Sequence, residues 1–444
     1  FQDIRKSRKW LSAEEIRLLV LLLFIFIALL AANIALVRVL PGGEWFFQRW
    51  SCARAFLAMQ ADASIEGLKG GRRMPDGAAT ILVEQRAPYG TEIAQQTQEI
   101  AYGRRAFSSE YGYVLNDPFF IVLLYTPLAL LRDFTWARGI WMLLSEAALV
   151  GTILFAFRLL EWQPPRWLYI FVIVFGLFSY FSLNALLTGS PAVMLLLLYL
   201  WILFALRSHS DELAGILLPF VAYQWEVGGL FFLFILAFVF AHRRWRVLAG
   251  LAMSLFVLLV VSFLVYPDWG LPFIRATISD WNRAANLTFS HTLSTWFPNA
   301  RFPIGRAVSI VLGIVLLIEW LGSLNASFRR VLWAASLSLA ITPLVGFAVF
   351  PSNHVVLLLP LVLILALAWE RWQRRRVLAT ILILFMALLI PFGLYLRAVY
   401  VYDPLVTDLI SIFPPVAAII GLYWMRWWVI RSPRPWFDQM GDRV

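Results

Sequence analysis

The chain has 444 residues, of which 61% are hydrophobic and only 14% charged. A water-soluble domain carries about 25% charged residues, so the composition excludes a soluble globular protein and predicts one that sits in lipid. The formal charge of +11 would suit a nucleic-acid partner, but the arginines and lysines fall in short clusters between apolar runs. That arrangement marks membrane topology, and no nucleic acid is expected.

Residues 1–17 are basic, with Arg5, Lys6, Arg8 and Lys9, and lead straight into an apolar run over 18–37. This reads as an uncleaved anchor with a cytoplasmic N-terminus. Further runs at 139–157, 167–187, 247–266, 331–350 and 376–396 approach the roughly 20 residues a helix needs to cross the hydrocarbon layer. Continuous apolar runs argue for helices, because a membrane barrel alternates. The fold expected is an all-α polytopic membrane protein, one domain over 1–444, with about 12 transmembrane helices.

Arg243, Arg244 and Arg246 form one basic loop; Arg329 and Arg330 form another, and Arg371, Arg374, Arg375 and Arg376 a third. The positive-inside rule assigns these, with the tail 426–444, to the cytoplasm. The long segment 41–116 and the later loop 267–303 then face the extracytoplasmic side. Residues 118–131 would start and finish on that side; they are too few to span and contain Pro118 and Pro127, which predicts a re-entrant segment. Residues 213–241 read as short helices meeting at Tyr223-Gln224-Trp225-Glu226. Within 41–116, Phe46, Trp50, Ala53 and Leu57 follow a helical stripe. The expectation is a helix lying on the bilayer surface with its apolar face down, Arg49 and Arg54 off that stripe, a glycine-rich loop over 62–90, and another short helix in 91–107.

Ionisable groups near lipid are costly and mark function. Glu44 follows Gly42-Gly43, whose lack of a Cβ allows close approach. At a helix N-terminus the dipole favours its charged form, making it a candidate general base. His354, in Pro351-Ser352-Asn353-His354, stands at the outer end of a late span, where it would hold a phosphate or orient a carboxylate. His291 lies in the second outer loop. Asp117 and Glu226 are placed to accept hydrogen bonds from hydroxyls. The lone Cys52 excludes an internal disulfide. There is no His-Glu-x-x-His, no cysteine pair and no phosphate-gripping glycine loop, so neither a metal nor a cofactor is expected.

Several stretches carry a family resemblance. Gly42-Gly43-Glu44-Trp45-Phe46-Phe47 and Ala53-Arg54-Ala55-Phe56-Leu57 follow the first span. Pro118 then opens a segment ending in Pro127-Leu128-Ala129-Leu130-Leu131. Later come Leu186-Leu187-Thr188-Gly189-Ser190, Arg243-Arg244-Trp245-Arg246, Asn286-Leu287-Thr288-Phe289-Ser290 and Pro351-Ser352-Asn353-His354. In order and spacing these resemble the polyprenyl-phosphate-mannose-dependent enzymes of glycosyltransferase family 87, of the GT-C superfamily. The usual aspartate is Glu44 here, one methylene longer.

The resemblance implies a GT-C-like bundle in a bacterial cytoplasmic membrane, its active site on the extracytoplasmic side. It implies transfer of a mannose-like hexose or pentose from a polyprenyl-phosphate donor, a lipid-linked co-substrate, to a glycan, lipid or protein acceptor. The anomeric centre would invert. The absence of any Asp-x-Asp pair agrees, since that pair holds the metal on a nucleotide-sugar diphosphate. Glu44 would be the base, and His354, then Arg49 or Arg54, would stabilise the departing phosphate. Asp117, Glu226, Asn286 and His291 complete the substrate-binding set. The same pattern fits a non-catalytic subunit built on this scaffold and held in a larger membrane complex. A transporter fits less well, because no internal repeat is present.

Overall fold

The computed structural model of the chain describes residues 13–69, 87–107, 110–299, 303–401 and 404–430. The expected N-terminal segment 1–17 and tail 426–444 therefore lie largely outside the described residues, as does 70–86 within the long first loop. Lipid offers no partner to a backbone N–H or C=O, so a chain this apolar must satisfy its backbone internally. It does so as helices. Among the described residues the β-type pairing is one isolated antiparallel bridge, Thr288 to Ala348.

Helix α1 (Ala13–Val39) is followed by α2 (Glu44–Lys69), α3 (Thr91–Tyr102), α4 (Phe119–Ala129) and α5 (Phe134–Leu159). Next come α6 (Arg166–Phe178), α7 (Tyr180–Thr188), α8 (Ala192–Arg207), α9 (Asp211–Leu217), α10 (Pro219–Ala222) and α11 (Trp225–Ala241). Helix α12 (Trp245–Val265) leads to α13 (Gly270–Ala284) and α14 (Phe289–Trp296), then α15 (Ile304–Leu324) and α16 (Phe328–Ile341). The 3-10 turn Pro351–Leu357 runs into α17 (Leu358–Arg371), and α18 (Arg376–Val401) and α19 (Pro404–Ile430) close the series.

Seven helices are long and apolar enough to cross a membrane, or eight if α6 and α7, bent by 46° at their junction, form one span. The chain is thus a membrane-embedded all-α protein. The expected twelve differ from this count because several apolar segments are broken or short. Helix α16 stops at Ile341, where Pro343 enters a 3-10 turn, rather than running to 350. The 213–241 segment breaks into α9, α10 and α11. Helices α16 and α17 are buried along nearly their whole length and form the centre of the bundle.

Helix α2 departs from the surface-helix expectation. Its stripe does not face lipid: Phe46, Trp50 and Ala53 are buried and pack on α4 and α5 with Phe119, Tyr125, Phe134 and Trp141. The helix also continues to Lys69, through part of the expected loop. The other amphipathic segment, α13, keeps Leu271, Ile274, Ile278 and Trp281 exposed, spaced to form one apolar face.

The ends of the helices gather at two faces. At one, the 87–133 and 265–299 segments meet the loops at 40–44, 188–191 and 345–353. Ser190 Oγ lies 3.4 Å from Asn353 Oδ1, and the Val349 N–H donates to Leu287 O at 3.1 Å. The other face holds the arginine clusters, with Arg207 paired to Glu161, Arg244 to Asp211 and Arg329 to Glu370.

Gly189 sets how closely α2 approaches α7. Its φ is +71°, and a Cβ there would sit 2.5 Å from Phe46 Cβ. Gly189→Ala is expected to destabilise the protein by about 1–3 kcal/mol, from backbone strain and overpacking, measured as a lowered thermal midpoint in detergent. Ala at Gly393, where a Cβ meets nothing within 4 Å, is the control that leaves the midpoint unchanged.

Candidate active site

Below the gathered loops lies a cavity of about 1380 Å3. Its floor is apolar: Phe120, Phe232, Leu251, Leu255, Leu259 and Phe273 line it. Leu255 of α12 is exposed, in keeping with its place in the cavity wall. The other end is polar, with Tyr111, Asn116, Glu226, Asp280, His291 and Arg306 in its wall.

Asp280 is the most tightly held of these groups. It projects from the inner face of α13, opposite the exposed apolar stripe, and is buried. Asn116 Nδ2 donates to its Oδ2 at 2.8 Å, and the Tyr111 hydroxyl is also hydrogen-bonded to it. Burial pushes the carboxyl up to about 6, against the pull of those hydrogen bonds and of Arg283. Glu226 stands close enough for the two charges to repel. Two acids pushed toward neutrality in one cavity are a recurrent mark of a functional site.

The expected residues divide between the cavity and the structure around it. Glu226, Asn286 and His291 line it; Glu44, Arg49, Arg54, Asp117 and His354 do not. Glu44 opens α2 behind the wall. It is 8% exposed, and burial raises its carboxyl to about 7 despite bonds to the Glu44 and Gly43 N–H groups and the attraction of Arg138. Its neighbour Trp45 packs against Tyr111 at 5.7 Å and Phe350 at 5.0 Å, centroid to centroid, and both of those rings line the cavity. Trp45 therefore joins α2 to the cavity wall, while the groups beside Glu44 are Arg138, Tyr113 and Tyr102.

Arg49 does not reach a substrate position. It is fully buried, its Nε 2.6 Å from Asp117 Oδ2, its Nη2 donating to Oδ1 at 3.2 Å and its Nη1 donating to Trp45 O at 2.9 Å. The helical pattern put Arg49 off the apolar stripe, and the structure gives the reason it is nevertheless inside: α4 and its approach cover that side of α2, and Asp117 supplies the matching charge. Arg54 Nη1 donates to Arg132 O at 2.6 Å, and its guanidinium lies over the Trp50 ring at 5.0 Å. His354 is buried, with Nε2 donating to Ser411 O at 2.6 Å and Phe181 against the ring. That bond ties the 3-10 turn to α19.

Asp280 and Arg306 were missed in the sequence. The signal for Asp280 was present: 270–284 is strongly amphipathic, and an acid on its inward face has no place in a merely solvated loop. Arg306 sits in the first turn of α15 beside Gly305, where nothing in the local pattern separates it from a topology arginine.

An apolar floor beneath an acid-lined polar end, inside a bundle of membrane-spanning helices, defines a polytopic membrane protein with a large internal cavity. The chain belongs to glycosyltransferase family 87: the model of that family matches residues 115–394, more than half of its length. It is a membrane glycosyltransferase by that membership. The match takes in Asp117, Glu226, Asp280, Asn286, His291, Arg306 and His354 and begins after Glu44, Arg49 and Arg54. No curated protein and no solved structure shows a match to the chain.

Removing one partner of a buried ion pair strands the other charge, at about 3–5 kcal/mol, whereas replacing both by apolar groups is often near neutral. Asp117→Asn is expected to lower the thermal midpoint in detergent strongly. The double variant Arg49→Met with Asp117→Leu should recover most of the loss.

Proposed function

We propose that this glycosyltransferase moves a mannose-like hexose or a pentose from a polyprenyl-phosphate carrier to a hydroxyl of an extracytoplasmic glycan, lipid or protein acceptor. The reaction is a single displacement: the acceptor oxygen attacks the anomeric carbon, the bond to the carrier phosphate breaks, and the configuration inverts. The cavity is the observation that carries the reading. An apolar floor suits an isoprenoid chain. Arg306 and His291 suit a departing phosphate, and Glu226 and Asp280 suit sugar hydroxyls. The opposite face bears the arginine clusters, which the positive-inside rule puts in the cytoplasm of a bacterial inner membrane.

Glu44 is the general base of this reading. A carboxyl raised to about 7 is matched to proton transfer near neutral pH, and such a base contributes about 10²–10⁴-fold. Glu44 does not line the cavity, so its engagement requires the start of α2 to rearrange as substrate enters, a change of the kind that completes many active sites. Asp280 supports a second reading, because it already lines the cavity. A non-catalytic subunit in a larger complex is the remaining reading, favoured by the burial of Glu44 outside the cavity wall.

The test uses purified chain in lipid with a synthetic polyprenyl-phosphate mannose. Glu44→Gln is expected to lower kcat by about 10²–10⁴-fold, while Asp280→Asn raises KM and leaves most of kcat. The reverse pattern assigns the base to Asp280. Full transfer by both variants would sink the acid-base scheme, and no transfer by the unmutated chain with any lipid-phosphate sugar supports the subunit reading.

The pH dependence follows from the same shift. Transfer should rise through pH 7 as Glu44 loses its proton, and through about 6 if Asp280 is the base. Stability runs the other way. Because the folded state holds the Glu44 proton more tightly than the unfolded one, folding is favoured below about pH 4.5 and that contribution is lost as pH rises through 7. Glu44→Gln should therefore gain on the unmutated chain in thermal midpoint at pH 8 relative to pH 5.

A further inference from the structure

A second cavity, of about 790 Å3, lies among the arginine-rich helix ends, at the face opposite the sugar-transfer cavity. It is framed by the ends of α8 and α11, the start of α12 and the start of α16. Two of its arginines are committed to the frame. Arg207 pairs with Glu161, donates to Leu159 O at 2.7 Å and lies over the Phe328 ring. Arg244 pairs with Asp211 through both nitrogens and donates to Leu206 O at 2.8 Å. Asp211 is the one acid in the cavity wall among the described residues, and Arg244 occupies it.

The remaining basic side chains are less committed: His242 uses Nδ1 to donate to Phe238 O at 3.0 Å, which leaves its Nε2. Arg243 has no carboxylate within ion-pair distance among the described residues, and Arg246 reaches Glu212 only at 3.9 Å. Both are exposed, as are His209 and His242 in the same wall. Beside them Phe240 and Trp245 are exposed and in contact, with ring centroids 6.0 Å apart. That is an aromatic pair of the kind that settles at the headgroup level of a bilayer.

The backbone adds an independent observation. His209 and Arg243 each follow a helix end in the left-handed region, with φ of +57° and +51°. Glycine is the usual residue there, and a side chain costs about 1–2 kcal/mol. Glu161 shares this conformation at a neighbouring helix end, and of the three it is His209 and Arg243 that line the one cavity.

We propose that this cavity binds a phosphate group, through Arg243, Arg246 and the His209 and His242 imidazoles, with Arg207 and Arg244 as its rigid frame. Basic pockets between transmembrane helices on the cytoplasmic side hold phospholipid headgroups in this way. The inference is independent of the transfer reaction, since no residue is shared between the two cavities.

The experiment is native mass spectrometry and thermal unfolding of the full chain with phosphatidylglycerol, phosphatidylcholine or inorganic phosphate. The unmutated chain should retain and be stabilised by phosphatidylglycerol over phosphatidylcholine. His209→Gly combined with Arg243→Gly should weaken that retention by about tenfold or more, the loss expected for a charge-assisted contact. It should not lower the lipid-free midpoint, because glycine relieves both strained positions. Arg374→Ala, a cation outside the cavity, should change neither. Stabilisation by inorganic phosphate that is lost in the double variant would support a soluble phosphate ligand instead of a lipid. Equal retention of both phospholipids without any phosphate effect, or a double variant that keeps the preference, would overturn the site.

Discussion

The buried pair of Arg49 and Asp117 governs the architecture of the loop face. It is the contact through which α2, a helix with no span of its own, is fastened to the approach of α4. Each charge alone would be intolerable at 1% exposure, so the two helices cannot separate without stranding an ion. Three features then fall into place. Phe46 and Trp50 face the bundle, Trp45 is carried against Tyr111 and Phe350, and Asn116, next to Asp117, is held where it can bond Asp280. One ion pair thus links the first loop to the second through a single residue step.

The two faces of the bundle handle charge differently. At the loop face, acids and a guanidinium are withdrawn from solvent, and burial drives Glu44 and Asp280 toward neutral protonation. At the opposite face, ion pairs lie near the surface, where they contribute little to stability and serve instead to hold helix ends in position. The first arrangement shifts the protonation of its acids, and the second holds its charges in pairs.

Much of the membrane character was legible in the chain, because apolar runs have a length that the bilayer dictates. The spans at 18–37, 139–157, 247–266 and 376–396 correspond to α1, α5, α12 and α18. Breaks within apolar sequence were harder to read. Pro343 ends α16 early, whereas Pro391 sits inside α18 without ending it, and the difference lies in the neighbours rather than in the residue. The stripe on α2 was read correctly as amphipathic but given to lipid, since periodicity cannot say whether an apolar face meets a bilayer or another helix. For the site, residue type and loop position found Glu226, Asn286 and His291, which line the cavity. They also singled out Arg49, Asp117 and His354, which are bonded within the fold. A buried structural ion pair and a catalytic one look alike in a sequence, because both put costly charges near lipid. What separates them is the partner 68 residues away, and that is a tertiary fact.

The bridge between Thr288 and Ala348, with the Val349 N–H on Leu287 O, stitches the roof of the large cavity to the strand of chain ahead of α17. Asp280 holds the same roof to the first loop through Asn116 and Tyr111, so α13 is anchored on two sides. Its polar face is thereby taken up in anchorage, and the apolar face of Leu271, Ile274, Ile278 and Trp281 is the one left to the surroundings, where lipid is a better neighbour than water.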